Sequence, residues 1–403
     1  MRERFDPTVI PAAARSICDA LRERGHGAWV VGGCVRDHLL GRDVADWDIC
    51  TSARPEEVVD AFRKVIPTGI AHGTVTVVRD GAHYEVTTLR GEGAYTDGRR
   101  PDAVSFLRDV REDLARRDFT VNAIAYDPVA EALVDPFDGL GDLRRRVLRA
   151  VGDPAKRFGE DGLRVLRGAR FVASLEFTLD PDTEAAIPGA MGVFRKVSAE
   201  RVREEWMKTL RATTPSRAFE VMRAGGIIEV VLPTLLGDGW AAAVARMDAA
   251  PQGDPVLRLA ALLLGLAPDD VLAWMKRYRF STDETKRVTH LVGLFPWAWP
   301  DDAAGRRRAL VRAERRSIDD VVALLDAAGD SATARAMASF AADESPRIPF
   351  TPGELALDGN AVMGALGIGP SRLLGDKLKA LHAAAVDDPS VNTREGLLAL
   401  LKA

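Results

Sequence analysis

Between residues 8 and 24, apolar side chains recur at Ile10, Ala14, Ile17 and Leu21, the three-to-four spacing of a helix with one buried stripe. The apolar run Ala28–Val31 predicts a short buried strand. Gly32-Gly33 follows, and VRDHLL predicts a short helix closed by Gly41. Asp46–Thr51 reads as a second strand, and Pro55–Arg63 as a helix with proline near its start. Thr74–Arg79 and His83–Leu89 read as strands joined at Asp80-Gly81, a dipeptide suited to a tight hairpin turn. Residues 91–103 are rich in glycine, proline and charge and read as a loop. Beyond about residue 150 strand signals fade. Helical spacing covers Arg157–Ala173, Glu200–Leu210, Arg217–Ala224, Asp254–Leu264, Asp269–Lys276, Asp283–Leu294, Arg306–Arg315, Asp319–Ala327 and Leu373–Val386. The expected class is α+β: an α/β head with a mixed sheet over 1–140, then an all-helical neck (141–215), body (216–345) and tail (346–403).

Composition narrows the setting. The 403 residues suffice for roughly two to three domains of about 150 residues. With 47% hydrophobic residues and a net charge of −4, global disorder is excluded. No 18-residue apolar stretch exists to span a bilayer, so no membrane association is expected. The N-terminal segment has no apolar signal core, and Cys18, Cys34 and Cys50 lack CxxC spacing. Both features fit a reducing cytoplasm and argue against structural zinc. The near-neutral total hides an asymmetry. Residues 144–170 hold nine Lys/Arg against three acids, the footprint of a polyanion site or of a solvated helix face.

Three constellations carry chemistry, the first of them made of two motifs, GGCVRD and DWD. In GGCVRD (32–37), a strand ending in Gly32-Gly33 lets the backbone approach a phosphate, and Arg36 lies one turn into the following helix. In DWD (46–48), Asp46 and Asp48 are two apart on an expected strand, so both project from one face. Two adjacent carboxylates repel unless a cation lies between them, and Mg²⁺ held by carboxylates and substrate phosphates meets that need. In RRDFTVNAIAYD (116–127), Arg117 and Asp118 could serve a triphosphate and a ribose, or Asp118 could simply start a helix. In EDGLRVLRGARF (160–171), Leu163, Leu166, Ala169 and Val172 form an apolar stripe bordered by Arg164, Arg167 and Arg170. Glu160 and Asp161 precede them by one turn. A solvated helix would show this pattern too.

Together these residues resemble the class II tRNA nucleotidyltransferase and bacterial poly(A) polymerase family, specifically its CCA-adding branch, of the bacterial type without an HD domain. The resemblance is specific from about Trp29 to Arg203 and continues weakly through LDGNAVMGALGIGPSRLLG (357–375) and NTREGLLALL (392–401). It implies a nucleotidyltransferase head. Gly32, Gly33 and Arg36 then look like nucleotide-binding residues, and Asp46 and Asp48 like catalytic metal ligands. Arg117 and Asp118 look like sugar and triphosphate contacts. Asp161, Arg164, Arg167 and Arg170 look like the base- and phosphate-contacting helix. Glu85 is a candidate third acid. PTGIAHGTVTVV (67–78) matches the CCA-adding branch, and the basic GRRF-type stretch of the poly(A) polymerases is lacking. No His-Asp dipeptide occurs, so the accessory phosphohydrolase domain of some relatives is expected to be missing. Cys34 stands where alanine is commoner and should be neutral for mechanism.

The reaction implied is two-metal phosphoryl transfer from CTP and ATP to a tRNA 3′ end, with release of pyrophosphate. No protein partner is implied. Asp161 and Arg164, three apart on one expected helix, would present an acceptor and a donor to one base edge, suiting cytosine and adenine but not uracil or guanine. Asp97-Gly98-Arg99-Arg100 fits the flexible-loop pattern that relatives limited to CC addition lack, so it points to AMP addition. GIGPSR (367–372) opens an expected helix whose N–H groups could take one tRNA phosphate. The rival readings are CC-adding, A-adding or poly(A)-adding enzymes, a nucleotidyltransferase of small molecules or proteins, and a non-enzymatic RNA-binding relative.

Overall fold

Strand β1 (Ala28–Val31) lies near the centre of a seven-stranded sheet because its apolar side chains need cover on both faces: Ala28, Val30 and Val31 are fully buried. The computed structural model describes residues 2, 4–70, 73–91 and 107–402. The other strands are β2 (Ile49–Thr51), β3 (Val65–Gly69), β4 (Thr74–Arg79), β5 (Ala82–Thr88), β6 (Ala125–Asp127) and β7 (Ala132–Val134). Their order is β3-β4-β5-β2-β1-β6-β7. Only β2 and β5 pair in parallel, with Ile49 opposite Val86, so the sheet is mixed. The β4–β5 hairpin closes at Asp80-Gly81, both at positive φ (51° and 79°), as a two-residue turn of matching twist requires.

The head helices are α1 (Ala12–Glu23), α2 (Gly33–Leu40), α3 (Pro55–Ala61), α4 (Val110–Ala115) and α5 (Gly139–Arg145). A one-turn 3₁₀ segment at Pro7–Val9 precedes α1, so the expected helix over 8–24 is split at Pro11. Leu114 and Leu89 pack with Val31, Cys50 and Ala123 in one core cluster. Then follow α6 (Pro154–Glu160), α7 (Leu163–Leu175), α8 (Pro181–Ala185), α9 (Met191–Phe194), α10 (Ala199–Leu210), α11 (Ser216–Ala224) and α12 (Ile227–Val231). This helical stretch carries one two-residue parallel strand pair, Val147–Leu148 with Thr178–Leu179.

Residues 1–209 and 217–231 form one compact unit; 210–216 and 232–403 form a second. The second is built of helices α13 (Trp240–Ala249), α14 (Pro255–Leu263), α15 (Pro268–Arg277), α16 (Thr282–Leu294), α17 (Ala303–Ala313), α18 (Ile318–Ala327), α19 (Ser331–Glu344), α20 (Gly359–Leu366), α21 (Arg372–Asp387) and α22 (Arg394–Lys402). Asp254 caps α14 by accepting from Val256 and Leu257 N–H, and every residue from Leu257 to Leu263 is buried. Near the C-terminus Leu357, Val362, Leu381, Leu397 and Leu401 form a separate cluster.

Two expectations are corrected. The second strand begins at Ile49, so Asp46 and Asp48 precede it. The Asp48 carbonyl still accepts the Val31 N–H at 3.1 Å, which holds the segment to the sheet edge-on. The helix expected over 157–173 is two helices. Asp161 is extended (φ −145°, ψ 105°) and ends α6, and Gly162 turns the chain into α7. A Cβ on Gly162 would lie 2.5 Å from the Phe194 backbone nitrogen, so the turn has room only for glycine.

Candidate active site

The end of β1 sets the site. Gly32 adopts φ 80°, a conformation for which glycine is suited, and a side chain there would also meet the Arg117 guanidinium at 2.7 Å. The chain then starts α2 at Gly33. Asp48 lies alongside this turn, and Glu85 of β5 lies beside Asp48, one step before the Ile49–Val86 pair. Burial pushes the Asp48 carboxyl up from its usual range, and the Glu85 and Asp46 charges push the same way against the opposing pull of Arg117. At Asp48, burial and the two neighbouring acids therefore outweigh the pull of Arg117. Among the described residues no three metal-ligating side chains gather closely enough to form a cage. Hard oxygen donors that repel one another, open on the substrate side, are the donor set of an ion completed by phosphates and water.

Asp48 and Glu85 border a cleft of about 340 Å³. Its lining is rich in arginine: Arg90, Arg116, Arg117, Arg164, Arg167 and Arg201, with Asp118 and Asp161 among them. Asp113, 1% exposed, holds Arg116 (3.0 Å) and Arg117 (3.5 Å). Burial opposes the Asp113 charge, but the two guanidiniums outweigh it and keep the carboxyl below its usual range. Asp118 is not a helix cap of any length: a single 3₁₀ turn, Thr120–Asn122, leads straight into β6. Its Oδ2 accepts from Arg167 Nε (2.8 Å) and Nη2 (2.6 Å), and its Oδ1 accepts from Asn122 Nδ2 and the Phe119 N–H. Burial resists its ionisation, yet Arg167 and Asn122 hold the carboxyl far below the ordinary range.

The 160–171 segment departs from its expected geometry. Asp161 and Arg164 do not share a helix; the Arg164 N–H donates to the Asp161 carbonyl at 3.0 Å, and their side chains bind other partners. Asp161 accepts the Leu163 N–H at 3.0 Å and two bonds from Arg201 of α10, Nη1 to Oδ1 at 3.2 Å and Nη2 to Oδ2 at 2.6 Å. Arg164 is fixed instead by Glu160 (2.6 Å) and by the carbonyls of Arg157 (2.8 Å) and Arg116 (2.9 Å). Both still face the same cleft. Arg170 does not line it: its guanidinium lies over the Phe171 ring at 3.9 Å and binds Glu205 of α10. Arg36 does not line it either. It is 8% exposed, paired with Asp37 (2.8 and 2.9 Å) and with Asn122, so its guanidinium buttresses the Gly32-Gly33 turn from below. Asp46 opens onto a neighbouring cavity that shares Asp48 and Glu85 with the cleft.

Sequence reasoning missed Arg201, Arg116 and Arg90. Arg201 and Glu205 are four apart, hence on one face of α10, and carry the charges opposite to Asp161 and Arg170; that complementarity was the available signal. The Asp97–Arg100 motif lies outside the described residues. GIGPSR does open a helix, α21, but the Ser371 hydroxyl caps it by accepting the Leu374 N–H.

Comparison with known proteins gives one consistent result. The poly A polymerase head domain family matches residues 28–149, and the family described as the probable RNA and SrmB-binding site of polymerase A matches 176–237. A CCA-adding enzyme of Lactobacillus delbrueckii subsp. bulgaricus is 37% identical over 401 residues, covering 98% of each chain. That of Streptococcus gordonii is 36% identical over 400 residues, covering 96% of each. The crystal structure of the Bacillus stearothermophilus CCA-adding enzyme in complex with CTP superposes with a TM-score of 0.79 at 32% identity, covering 100% of this chain and 98% of the other. No helix among the described residues is long and apolar enough to cross a membrane.

Proposed function

The chain belongs to the CCA-adding enzyme family, and we propose that its cleft transfers CMP and AMP from CTP and ATP to the 3′ end of tRNA, releasing pyrophosphate. The observation that carries this reading is the lining of one cleft: it brings Asp48 and Glu85, the Asp48 carboxyl raised by burial and neighbouring acids, together with six arginines. A triphosphate laid along it meets positive charge at its phosphates and puts its α-phosphorus near Asp48. Asp46 and Asp48 would hold Mg²⁺. When bound, Mg²⁺ would neutralise the triphosphate and favour the ionised attacking hydroxyl. Arg117, poised over Gly32, would take the phosphates, and Asp118 would keep Arg167 extended toward the sugar and triphosphate. Gly32 and Gly33 would let the backbone come close to them. Arg36 and Arg170 act from behind, by bracing the turn and α7.

Base choice follows from donors and acceptors. An ionised Asp161 accepts only, and Arg164 donates only. Cytosine and adenine offer an amino group beside a ring acceptor; uracil and guanine would turn a carbonyl toward the carboxylate and leave buried groups unpaired. The tRNA would be held mainly through its phosphates, and the setting we propose is the cytoplasm. Purified protein incubated with tRNA lacking its 3′ terminus and each labelled nucleotide separately tests the reading. Incorporation from CTP and then ATP, and none from UTP or GTP, is expected. Long A tracts, or C alone, would assign the rival activities.

A further inference from the structure

Phe171 of α7 is 5% exposed, and three guanidiniums gather about its ring. The guanidinium carbon of Arg170 lies 3.9 Å from the ring centroid, that of Arg36 5.2 Å and that of Arg167 5.3 Å. Two of these arginines belong to α7. The third comes from α2, the helix that starts at the Gly32-Gly33 turn. Arg167 and Phe171 are four apart, so they share one face of α7. That face meets the segment carrying Asp118 and Phe119. Asp118 takes Arg167, and the Phe119 ring stands at 82° to Phe171 with centroids 5.9 Å apart. Gly168 permits the approach, since a Cβ there would lie 3.2 Å from the Phe119 ring.

Three like charges about one ring repel one another, and their carboxylates do not serve them equally. Arg36 has Asp37 and Arg167 has Asp118, whereas Arg170 shares Glu205 with Arg167 and Lys208. Burial pulls the Arg170 guanidinium below its usual range; Glu205 opposes this, and the Arg167 charge adds to it. The negative face of an aromatic ring attracts cations, most strongly where water is excluded. An aliphatic side chain would fill the same volume and attract none of them.

We propose that Phe171 is a positioning residue for nucleotide transfer, its ring fixing Arg167 at the cleft and tying it to Arg36 behind the Gly32-Gly33 turn; the proposal rests on the nucleotidyltransferase reading of the cleft. Of the three arginines only Arg167 lines the cleft. Asp118 accepts from its Nε and Nη2 and so sets one edge of the guanidinium. The ring restricts how the rest of it can swing. Arg170, stacked closest, occupies Glu205 Oε2, and Arg167 keeps only a 3.7 Å contact with Oε1. Arg167 is thereby directed to Asp118 and the cleft rather than to α10. The residues proposed to read the base are held elsewhere, Asp161 by Arg201 and Arg164 by Glu160. Phe171 therefore governs how firmly a triphosphate is held and not which base it carries.

The test weakens the ring's negative face while leaving its size nearly unchanged. Phe171 is replaced, by site-specific incorporation, with phenylalanines carrying one, two and three ring fluorines. The same series at Phe177 is the control: that side chain is also buried (1% exposed), and no guanidinium among the described residues lies over it. KM for CTP, KM for tRNA lacking its 3′ terminus, and the preference for CTP over UTP are measured for each protein. Along the Phe171 series the CTP KM is expected to rise stepwise, by about tenfold in total, the scale of a buried cation–π contact. The RNA KM and the base preference should keep their wild-type values, and the Phe177 series should be flat in all three. Phe171→Leu should raise the CTP KM at least as far as three fluorines do. A flat Phe171 series, equal steps at Phe177, or a CTP KM that rises only together with the RNA KM or with lost base preference overturns the proposal. Failure of the wild-type protein to incorporate CMP at all would instead overturn the activity on which it rests.

Discussion

The two ends of the cleft handle charge in opposite ways. At the Asp46–Asp48–Glu85 end, acids face acids, and the Asp48 carboxyl is pushed up by burial and by its neighbours. At the α7 end each arginine has a carboxylate: Arg164 has Glu160, Arg167 has Asp118, Arg170 has Glu205. The basic run of 144–170 is therefore not a free positive surface. Arg149 is spent on Asp142 and Asp180, and Arg157 on Glu160. One end gathers acids that only Arg117 offsets at Asp48, which is where the proposed cation would be held. The other matches charge internally and so fixes donor positions before a nucleotide arrives. In the function proposed above, the first end would serve the chemistry and the second the choice of base.

The largest effect is expected where compensation is missing. Asp48→Ala or Asp46→Ala should lower incorporation by ~10³-fold or more, the scale of the several kcal/mol that a bound metal supplies. tRNA binding should survive, because neither carboxylate is part of the phosphate-binding wall. Filter binding and single-turnover incorporation check the two halves separately. Activity within a few-fold of wild type would remove the carboxylate end from the mechanism.

Next comes the matched end, where removing one partner strands the other. Asp118→Asn leaves Arg167 facing a neutral amide, and breaking a buried pair costs about 3 kcal/mol when one partner keeps some solvent. The variant should unfold at visibly lower denaturant. The same pair sets an acid dependence. Because the Asp118 carboxyl lies far below its usual range in the folded chain, its stabilisation is complete above the unfolded-state value of about 3.9 and is lost only as pH falls well below it. Acid unfolding of Asp118→Asn should accordingly lack part of the wild-type slope in that range.

Base selection should respond more modestly. Asp161→Ala and Arg201→Met should both relax discrimination against UTP and GTP, by roughly tenfold or more, because an unpaired buried group is what rejects the wrong base. Loss of rate with unchanged preference would show that Arg201 only braces α10 against the turn at Gly162.

Much of this was legible in the residues. The Gly-Gly turn, the β4–β5 hairpin and the acid pair are local patterns, set by neighbours in sequence. What escaped depends on distant contacts. The break between α6 and α7 follows from Gly162 pressing on the backbone of Phe194. The Asp161–Arg201 pair spans 40 positions. Edge strand β3 reads Val-Ile-Pro-Thr-Gly, with a proline and a glycine that strands usually avoid; its exposed edge tolerates them. Arg36 was placed correctly on its helix but aimed wrongly, since nothing local shows that Asn122 would draw its guanidinium inward.

The smallest effect is expected at a neutral group lodged at the carboxylate end. Cys34 is 3% exposed, and its Sγ donates to the Val31 carbonyl at 3.4 Å. Burial pushes the thiol up to about 11, with the Asp48 charge adding to the shift. Burial therefore favours the uncharged thiol over the thiolate at neutral pH. Cys34→Ala removes one buried sulfur and should cost about 1 kcal/mol of stability, as for a small core deletion. It should leave CMP and AMP incorporation at the wild-type rate, and the wild-type thiol should resist alkylation until the chain unfolds. A drop in activity would mean that the turn between β1 and α2 depends on the sulfur for its shape, and that the carboxylate end is held by more than the Gly32 geometry and the Asp48 carbonyl.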